Sequence, residues 1–343
     1  MRVLILGEDA PGGLMASYAR GFNALGVDVH TYCLVRAYQS VAPAIRLRAL
    51  RRAAEPVLLV AFNERVIRDL SSATVDLVFV LKGHRLRAET VRTLRERLDA
   101  PVVNFFPDDP FSRERSNRLA YGPAVLGAYD ACFTFARHLI RAYEEAGASS
   151  VHYLPFARDP ELHAPITRVA PPPDLDVVFV GNLDDERIRF LDAIARTYRV
   201  GVFGERTTAV VPRRSALTRA VFGPAAYGPA LAQTLARGAI SLNVMRPQNS
   251  RSHNMRSFES PACGAFTLSQ RTPELTELFV DDEEIATFDG VDELRAAVDR
   301  WLTDRRGRVA VARAGYARVR EDTYARRAAV VLDTAGIAME VGS

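Results

Sequence analysis

The sequence predicts an α/β protein built from two doubly wound, Rossmann-like domains. Short, nearly continuous apolar runs recur along the whole chain, and amphipathic helical stretches separate them. That alternation indicates parallel sheets covered on both faces. It is interrupted once, by a proline-rich connector, and then restarts. A chain of 343 residues with 48% hydrophobic content is long enough for two cores.

In the first half, RVLILG (2–7), VDVHTYCL (27–34), VDLVFVLK (75–82), PVVNFF (101–106) and DACFTF (130–135) read as strands, with a helix expected after each. Residues 12–25 carry Leu14, Tyr18, Phe22 and Leu25 near helical spacing, and residues 136–146 form another helical stretch stopped by Gly147. Residues 155–174 hold six prolines and no apolar period, which marks a semi-rigid connector. The domains are therefore placed at 1–160 and 161–320. In the second, LDVVFVG (175–181), VGVFG (200–204), AISLNVM (239–245), AFTLS (265–269) and EIATF (284–288) read as strands. A long final helix is expected over 316–338. Two such domains would face each other across a cleft at their strand C-terminal ends, where open α/β sheets take ligands.

Composition narrows the class. The net charge is +4, and Lys82 is the one lysine among 45 Lys and Arg residues. Such an arginine bias most simply reflects a GC-rich coding sequence. Two basic runs, 46–52 and 213–219, lack the interleaved aromatics of single-strand nucleic-acid binders, so no nucleic-acid partner is expected. They read as solvated faces, or as contacts to an anionic acceptor or a peripheral membrane surface. No apolar run approaches the roughly 20 residues of a membrane span. The chain enters a strand at once with no cleavage-site pattern, so a cytoplasmic protein is expected. Cys33, Cys132 and Cys263 lie far apart in apolar runs, which suits free thiols in a reducing compartment. No Cys/His spacing fits zinc, and neither a metal nor a cofactor is expected.

The most informative stretch is NMRSFESPACG at 254–264, between the strand AISLNVM with its polar loop PQNSRSHN and the strand AFTLS. A loop ending at a helix start offers unpaired N–H groups and a positive dipole end to an anion. Arg251, His253, Asn254 and Arg256 add cationic or hydrogen-bonding groups there. Glu259, one turn on, can accept from sugar hydroxyls. An anion clamp beside a hydroxyl acceptor suits a nucleoside diphosphate with its ribose. A second loop, GNLDDERIRF, supplies Gly181 and Asn182, an N-cap at Asp184 or Asp185, and Arg187 within reach of a phosphate or of a neighbouring acid. Gly12 and Gly13 in GEDAPGG permit close backbone approach to a phosphate or a sugar, although the loop is not GxGxxG.

In the first half, FFPDDPF (105–111) follows a strand and holds Asp108 and Asp109. One of them is a candidate base for an acceptor hydroxyl, if the transfer inverts the anomeric centre. Asp109 is favoured, because Pro110 pushes it toward an extended conformation. Two adjacent residues do not both enter one pocket, so the other is expected to serve the turn. His84, at the end of the preceding strand, is the alternative base.

NMRSFESPACGAFTLS, followed by LTELFVDDEEIATF, DELRAAVDRWL and RAGYARVREDTYARR, resembles the C-terminal half of the CgeB-like, group 1-related glycosyltransferases of the GT-B class. VVFVGNLDDERIRFL at 177–191 matches the start of that half. The resemblance spans about residues 175–332 and is thinner before, chiefly in FFPDDPF and PFARDPELH. It implies transfer of a sugar from a nucleoside-diphosphate sugar to an unknown acceptor. Glu259 matches the second of two glutamates eight positions apart, the one on the donor ribose, whereas the first position is occupied by Arg251. The resemblance also implies that the loops at 203–207 and 222–233, with Tyr227, hold the nucleobase. The segment 321–343 is implied to cross back onto the first domain. A nucleotide-sugar epimerase or hydrolase of the same fold, and a non-catalytic nucleotide-sugar-binding protein, are the alternatives.

Overall fold

A computed structural model of the chain describes residues 1–42, 48–112, 114, 117–166 and 172–338. The chain forms two units, Met1–Pro155 with Tyr324–Ser343, and Phe156–Thr323.

The first unit contains β1 (Arg2–Gly7), α1 (Leu14–Asn23), β2 (Asp28–Cys33), α2 (Leu34–Val41), α3 (Arg48–Leu70), β3 (Leu77–Leu81), α4 (Ala88–Leu98), β4 (Val102–Phe106), β5 (Ala131–Thr134), α5 (Ile140–Glu145) and β6 (Val151–Tyr153). Its sheet has the order β2-β1-β3-β4-β5-β6, and every described pairing is parallel. Residues Val3 to Leu6 and Leu77 to Val80 are all buried, since helices cover both faces and successive side chains alternate between them.

Two expectations for this half fail. Among the described residues between β4 and β5 there is no α-helix. Pro107 and Pro110 restrict the residues around them and remove two N–H donors. A short 3₁₀ helix at Pro123–Ala128 precedes β5. The strand β6 was not anticipated, because three residues carry no readable period.

The second unit contains β7 (Leu175–Val180), α6 (Asp185–Ala195), β8 (Val200–Phe203), α7 (Thr207–Val210), β9 (Val221–Gly223), α8 (Pro229–Leu235), β10 (Gly238–Asn243), α9 (Arg256–Ala262), β11 (Thr267–Gln270), α10 (Pro273–Leu278), β12 (Ala286–Phe288), α11 (Gly290–Thr303) and α12 (Arg305–Val319). The order β9-β8-β7-β10-β11-β12 is the 3-2-1-4-5-6 arrangement of a dinucleotide-binding sheet. Alternate residues of β7 enter two cores. Val177 and Phe179 pack with Phe190, Leu191 and Trp301, while Val178 and Val180 pack with Phe203, Leu231 and Leu235. The edge strand β9 was also missed, again for its length.

The single helix expected over 316–338 is two helices, α12 and α13 (Tyr324–Thr334). The break has a tertiary cause. The Arg158 N–H donates to the Asp322 carbonyl at 2.8 Å, and its guanidinium donates to the Arg320 carbonyl at 2.8 and 3.2 Å. These bonds draw residues 320–323 out of helical pairing.

Helix α13 belongs to the first unit and packs on α1. Tyr18 and Tyr324 meet edge-on at 4.9 Å between ring centroids. Gly21 makes the close approach possible, since a Cβ there would lie 2.6 Å from the Tyr324 carbonyl carbon. Gly21→Ala is expected to destabilise the first unit by about 1–3 kcal/mol, the usual cost of overpacking. Urea unfolding measures this, and an unchanged midpoint would mean that α13 shifts freely.

Candidate functional site

In each sheet the strand order reverses once, and loops leaving the strands on either side of that point line a crevice. In the second unit the reversal falls between β7 and β10. The loop after β7 carries Gly181, Asn182 and Asp184, and the loop after β10 leads through Arg246 and Arg251 into α9. The sequence-predicted residues of this half thus share the C-terminal edge of one parallel sheet.

Arg256 and Glu259 are brought into direct contact, Nη1 to Oε2 at 2.8 Å, on the first turn of α9. Glu259 is buried, and its other oxygen, Oε1, faces His163 Nε2 at 3.7 Å. Asn254 caps the helix: its Oδ1 accepts the Ser257 N–H at 3.1 Å, and its amide donates to Asn243 Oδ1 at 2.9 Å. Arg251 is exposed on the loop.

Two residues expected to face a phosphate do otherwise. His253 is fully buried. Its Nε2 accepts the Phe156 N–H at 3.2 Å, its Nδ1 lies 3.2 Å from Glu274 Oε1, and Phe156 and Phe258 meet its ring edge-on. Both ring nitrogens therefore face protein, and His253 anchors the loop from within.

Arg187 is also buried. It donates twice to the Val244 carbonyl, at 3.1 and 3.0 Å, and once to the Asn182 carbonyl at 2.9 Å. It ties together the two lips of the crevice. Burial pushes its pKa down to about 10, with the nearby cations Arg246 and Arg256 adding to the effect and Asp184 opposing it. That mutual repulsion marks a concentration of positive charge, and Arg246 was not anticipated.

Asp184 is the N-cap of α6, accepting the Arg187 N–H at 2.9 Å. Asn182 Oδ1 accepts the Glu205 N–H at 3.0 Å, joining the loops after β7 and β8. Tyr227 lies on the loop before α8, half exposed, with its phenol pKa raised by burial and then by Glu205. Ala226 beside it is buried.

In the first unit the reversal falls between β1 and β3. Gly12, with φ +64°, turns the chain after β1, and Gly13 caps α1 through backbone geometry. Asp9 on that loop pairs with Arg36. Lys82 and Gly83 both have positive φ at the end of β3 (64° and 61°). For lysine this is an uncommon, strained conformation. It delivers Lys82 Nζ to Asp108 Oδ2 at 2.7 Å and to Asn117 Oδ1 at 3.4 Å. Asp109 is the turn residue: its Oδ1 accepts the Phe111 N–H at 2.9 Å. The Asp109 carboxylate thus closes an Asx-type turn and is not aimed away from it.

Burial pushes the His84 pKa down to about 3, with Arg85 and Lys82 adding and Asp108 opposing. An unfolded histidine titrates near 6.5. The unfolded chain thus binds this proton more readily than the folded one. Stability is level above about pH 6.5 and falls as pH drops toward 3. His163 is depressed by burial in the same direction. A His84→Gln variant is expected to lose less melting temperature than wild type between pH 6.5 and 4, and equal losses would show that His84 is free to protonate.

The basic run 213–219 holds Arg213, Arg214 and Arg219, all exposed. The run 46–52 lies outside the described residues at its first two positions. Among the described residues no group of three or more His, Cys, Asp or Glu side chains could hold a metal ion, and no helix is long and apolar enough to cross a membrane.

Residues 187–333 match the protein family described as glycosyl transferase-like. This span contains Arg187, Arg246, Arg251, Arg256 and Glu259. Among solved structures, sucrose-phosphate synthase from Thermosynechococcus elongatus is similar, with a TM-score of 0.71 at 14% identity over 97% of each chain. HepE from Anabaena, in complex with UDP and glucose, has a TM-score of 0.68 at 13% identity over 98% of this chain and 99% of that one. A trehalose-6-phosphate structure from E. coli, bound with UDP-2-fluoro glucose, has a TM-score of 0.66 at 12% identity over 98% and 100%. The shared feature is the fold, two Rossmann-like units of the GT-B glycosyltransferase type. No curated protein matches the chain in sequence.

Proposed function

We propose that the protein is a glycosyltransferase of the CgeB-like subgroup, moving a sugar from a nucleoside-diphosphate sugar to an acceptor hydroxyl in the cytoplasm. The observation that carries this is the gathering of Arg187, Arg246 and Arg256, the last paired with the buried Glu259, at the switch point of the second sheet, within the family-matched segment. Arg246, Arg251 and Arg256 stabilise the departing diphosphate, a preorganised electrostatic contribution that needs no resident metal. Glu259 accepts hydrogen bonds from the ribose, and Ala226 with Tyr227 flanks the base. On the first unit, Lys82 and Asp108 receive the acceptor. The free thiols Cys33, Cys132 and Cys263 suit a reducing compartment.

Thermal shift with UDP, GDP, TDP and ADP tests the donor site. One of them is expected to stabilise the chain by about 2.7 kcal/mol at a hundredfold excess over Kd. No shift with any at millimolar concentration would remove the assignment. The complexes of HepE and of the E. coli protein make UDP the first choice. Glu259→Gln is expected to weaken binding by roughly 1.5–3 kcal/mol while the melting transition is kept. Unchanged binding would make Glu259 a structural residue.

A further inference from the structure

His163 lies in the connector ahead of β7 and was not among the residues singled out from the sequence. It is 3% exposed, and Asp159 beside it is 1% exposed. The two close a small loop: the His163 N–H donates to the Asp159 carbonyl at 2.8 Å, and the Asp159 N–H donates to His163 Nδ1 at 3.1 Å. A ring nitrogen that accepts an N–H carries no proton of its own. The neutral ring is therefore held as the Nε2–H tautomer. That N–H faces Glu259 Oε1 at 3.7 Å, while Arg256 occupies Oε2 at 2.8 Å.

A carboxylate offers about four lone-pair sites. Arg256 pairs with Oε2 by charge, and the His163 N–H is aimed at Oε1 from just beyond hydrogen-bond distance. A buried carboxylate flanked by a cation on one oxygen and by an imidazole N–H on the other is confined in its orientation. Both oxygens keep acceptor sites, and the pair matches the two hydroxyls of a vicinal diol. Such contacts are often long in a ligand-free protein and tighten when the ligand binds.

We propose that the ligand of the Glu259 site is a ribonucleoside diphosphate and not a 2′-deoxyribonucleoside diphosphate, and that His163 is the positioning residue that sets this preference. The proposal rests on the donor-site reading above. With one hydroxyl missing, a deoxyribose leaves one oriented, buried acceptor unpaired. The groups facing the imidazole are Glu259, Asp159, Arg256 and Arg158, and burial lowers its pKa. The neutral tautomer thus persists at pH 7.

Calorimetric titration of the full chain with UDP, 2′-deoxy-UDP, GDP and 2′-deoxy-GDP tests this. Wild type is expected to bind the ribose form of its preferred base about tenfold or more tightly than the deoxy form. In His163→Phe the ratio is expected to fall to about threefold or less, through loss on the ribose side. His163→Gln, whose amide N–H can replace the ring donor, should restore part of it. A folded His163→Phe protein with the wild-type ratio, or a wild type with no preference, overturns the proposal while leaving the donor site standing. Absence of binding by all four nucleotides to wild type overturns the donor site and the proposal with it. If the variants do not fold, long-range ¹H–¹⁵N correlation on wild type decides: a neutral Nε2–H ring at pH 7 supports the proposal, and an Nδ1–H or doubly protonated ring refutes it.

Discussion

Asp108→Asn is expected to lower the release of nucleoside diphosphate from the cognate nucleotide sugar by about 10²- to 10⁴-fold, the range for loss of a general base. Nucleotide affinity should stay within about threefold, since Asp108 and Glu259 lie on different units. Three candidates for the base follow from the sequence, and their surroundings separate them. Asp109 is committed to the turn at Phe111. His84, on taking a proton, would become a buried cation beside Arg85 and Lys82, which is why its pKa is pushed down to about 3. Asp108 stands beyond β4, oriented through Oδ2 by a charge-assisted bond from Lys82. Lys82 holds a strained backbone conformation to make that bond, and strain of this kind clusters at functional sites. The control is Asp109→Ala, which should keep turnover but lose about 0.5–1.5 kcal/mol of stability with its turn hydrogen bond. Single-turnover release of nucleotide, with melting curves for both variants, separates the cases. If Asp108→Asn keeps wild-type turnover, the enzyme supplies no base and Asp108 only positions the acceptor.

Much of the fold was legible because burial on both faces imposes long apolar runs. All five strands expected in the first half are present, and RVLILG coincides with β1. What escaped was whatever tertiary bonds decide. The strands β6 and β9 have three residues each and form by pairing at a sheet edge. The break between α12 and α13 is set by Arg158, some 160 residues away in sequence. The site shows the same division. The cap at Asn254 and the Arg256–Glu259 pair are local, three residues apart, and follow from helical spacing. The partners of His253, Arg187 and His163 come from Phe156, Val244 and Glu259, and no window of sequence contains them. For His163 a faint signal existed, a histidine four residues after Asp159 in a segment otherwise rich in proline.

Arg187→Ala is expected to destabilise the second unit by about 2–4 kcal/mol, because the buried Val244 carbonyl and the partly buried Asn182 carbonyl lose charge-assisted partners at once. The Val244 carbonyl accepts from both Nε and Nη2, and the Asn182 carbonyl accepts from Nη1. These carbonyls lie just past the ends of the two strands flanking the switch point, so the loss falls on the geometry of the crevice itself. The guanidinium also lies over the Phe179 ring, 5.5 Å from its centroid, and that packing goes as well. Arg187→Lys should recover little, since an ammonium on a single stem lacks the planar fork that spans both carbonyls. The helix cap survives either change, because Asp184 accepts the backbone N–H of residue 187 and not its side chain. Urea unfolding followed by a probe in the second unit, paired with UDP titration, reads stability and affinity together. A tie between the crevice lips predicts lost stability, with weaker binding following from the disordered loops. A direct phosphate ligand predicts the reverse, an unchanged unfolding midpoint with affinity reduced in proportion to the missing charge. The burial of the guanidinium among carbonyl oxygens selects the first outcome.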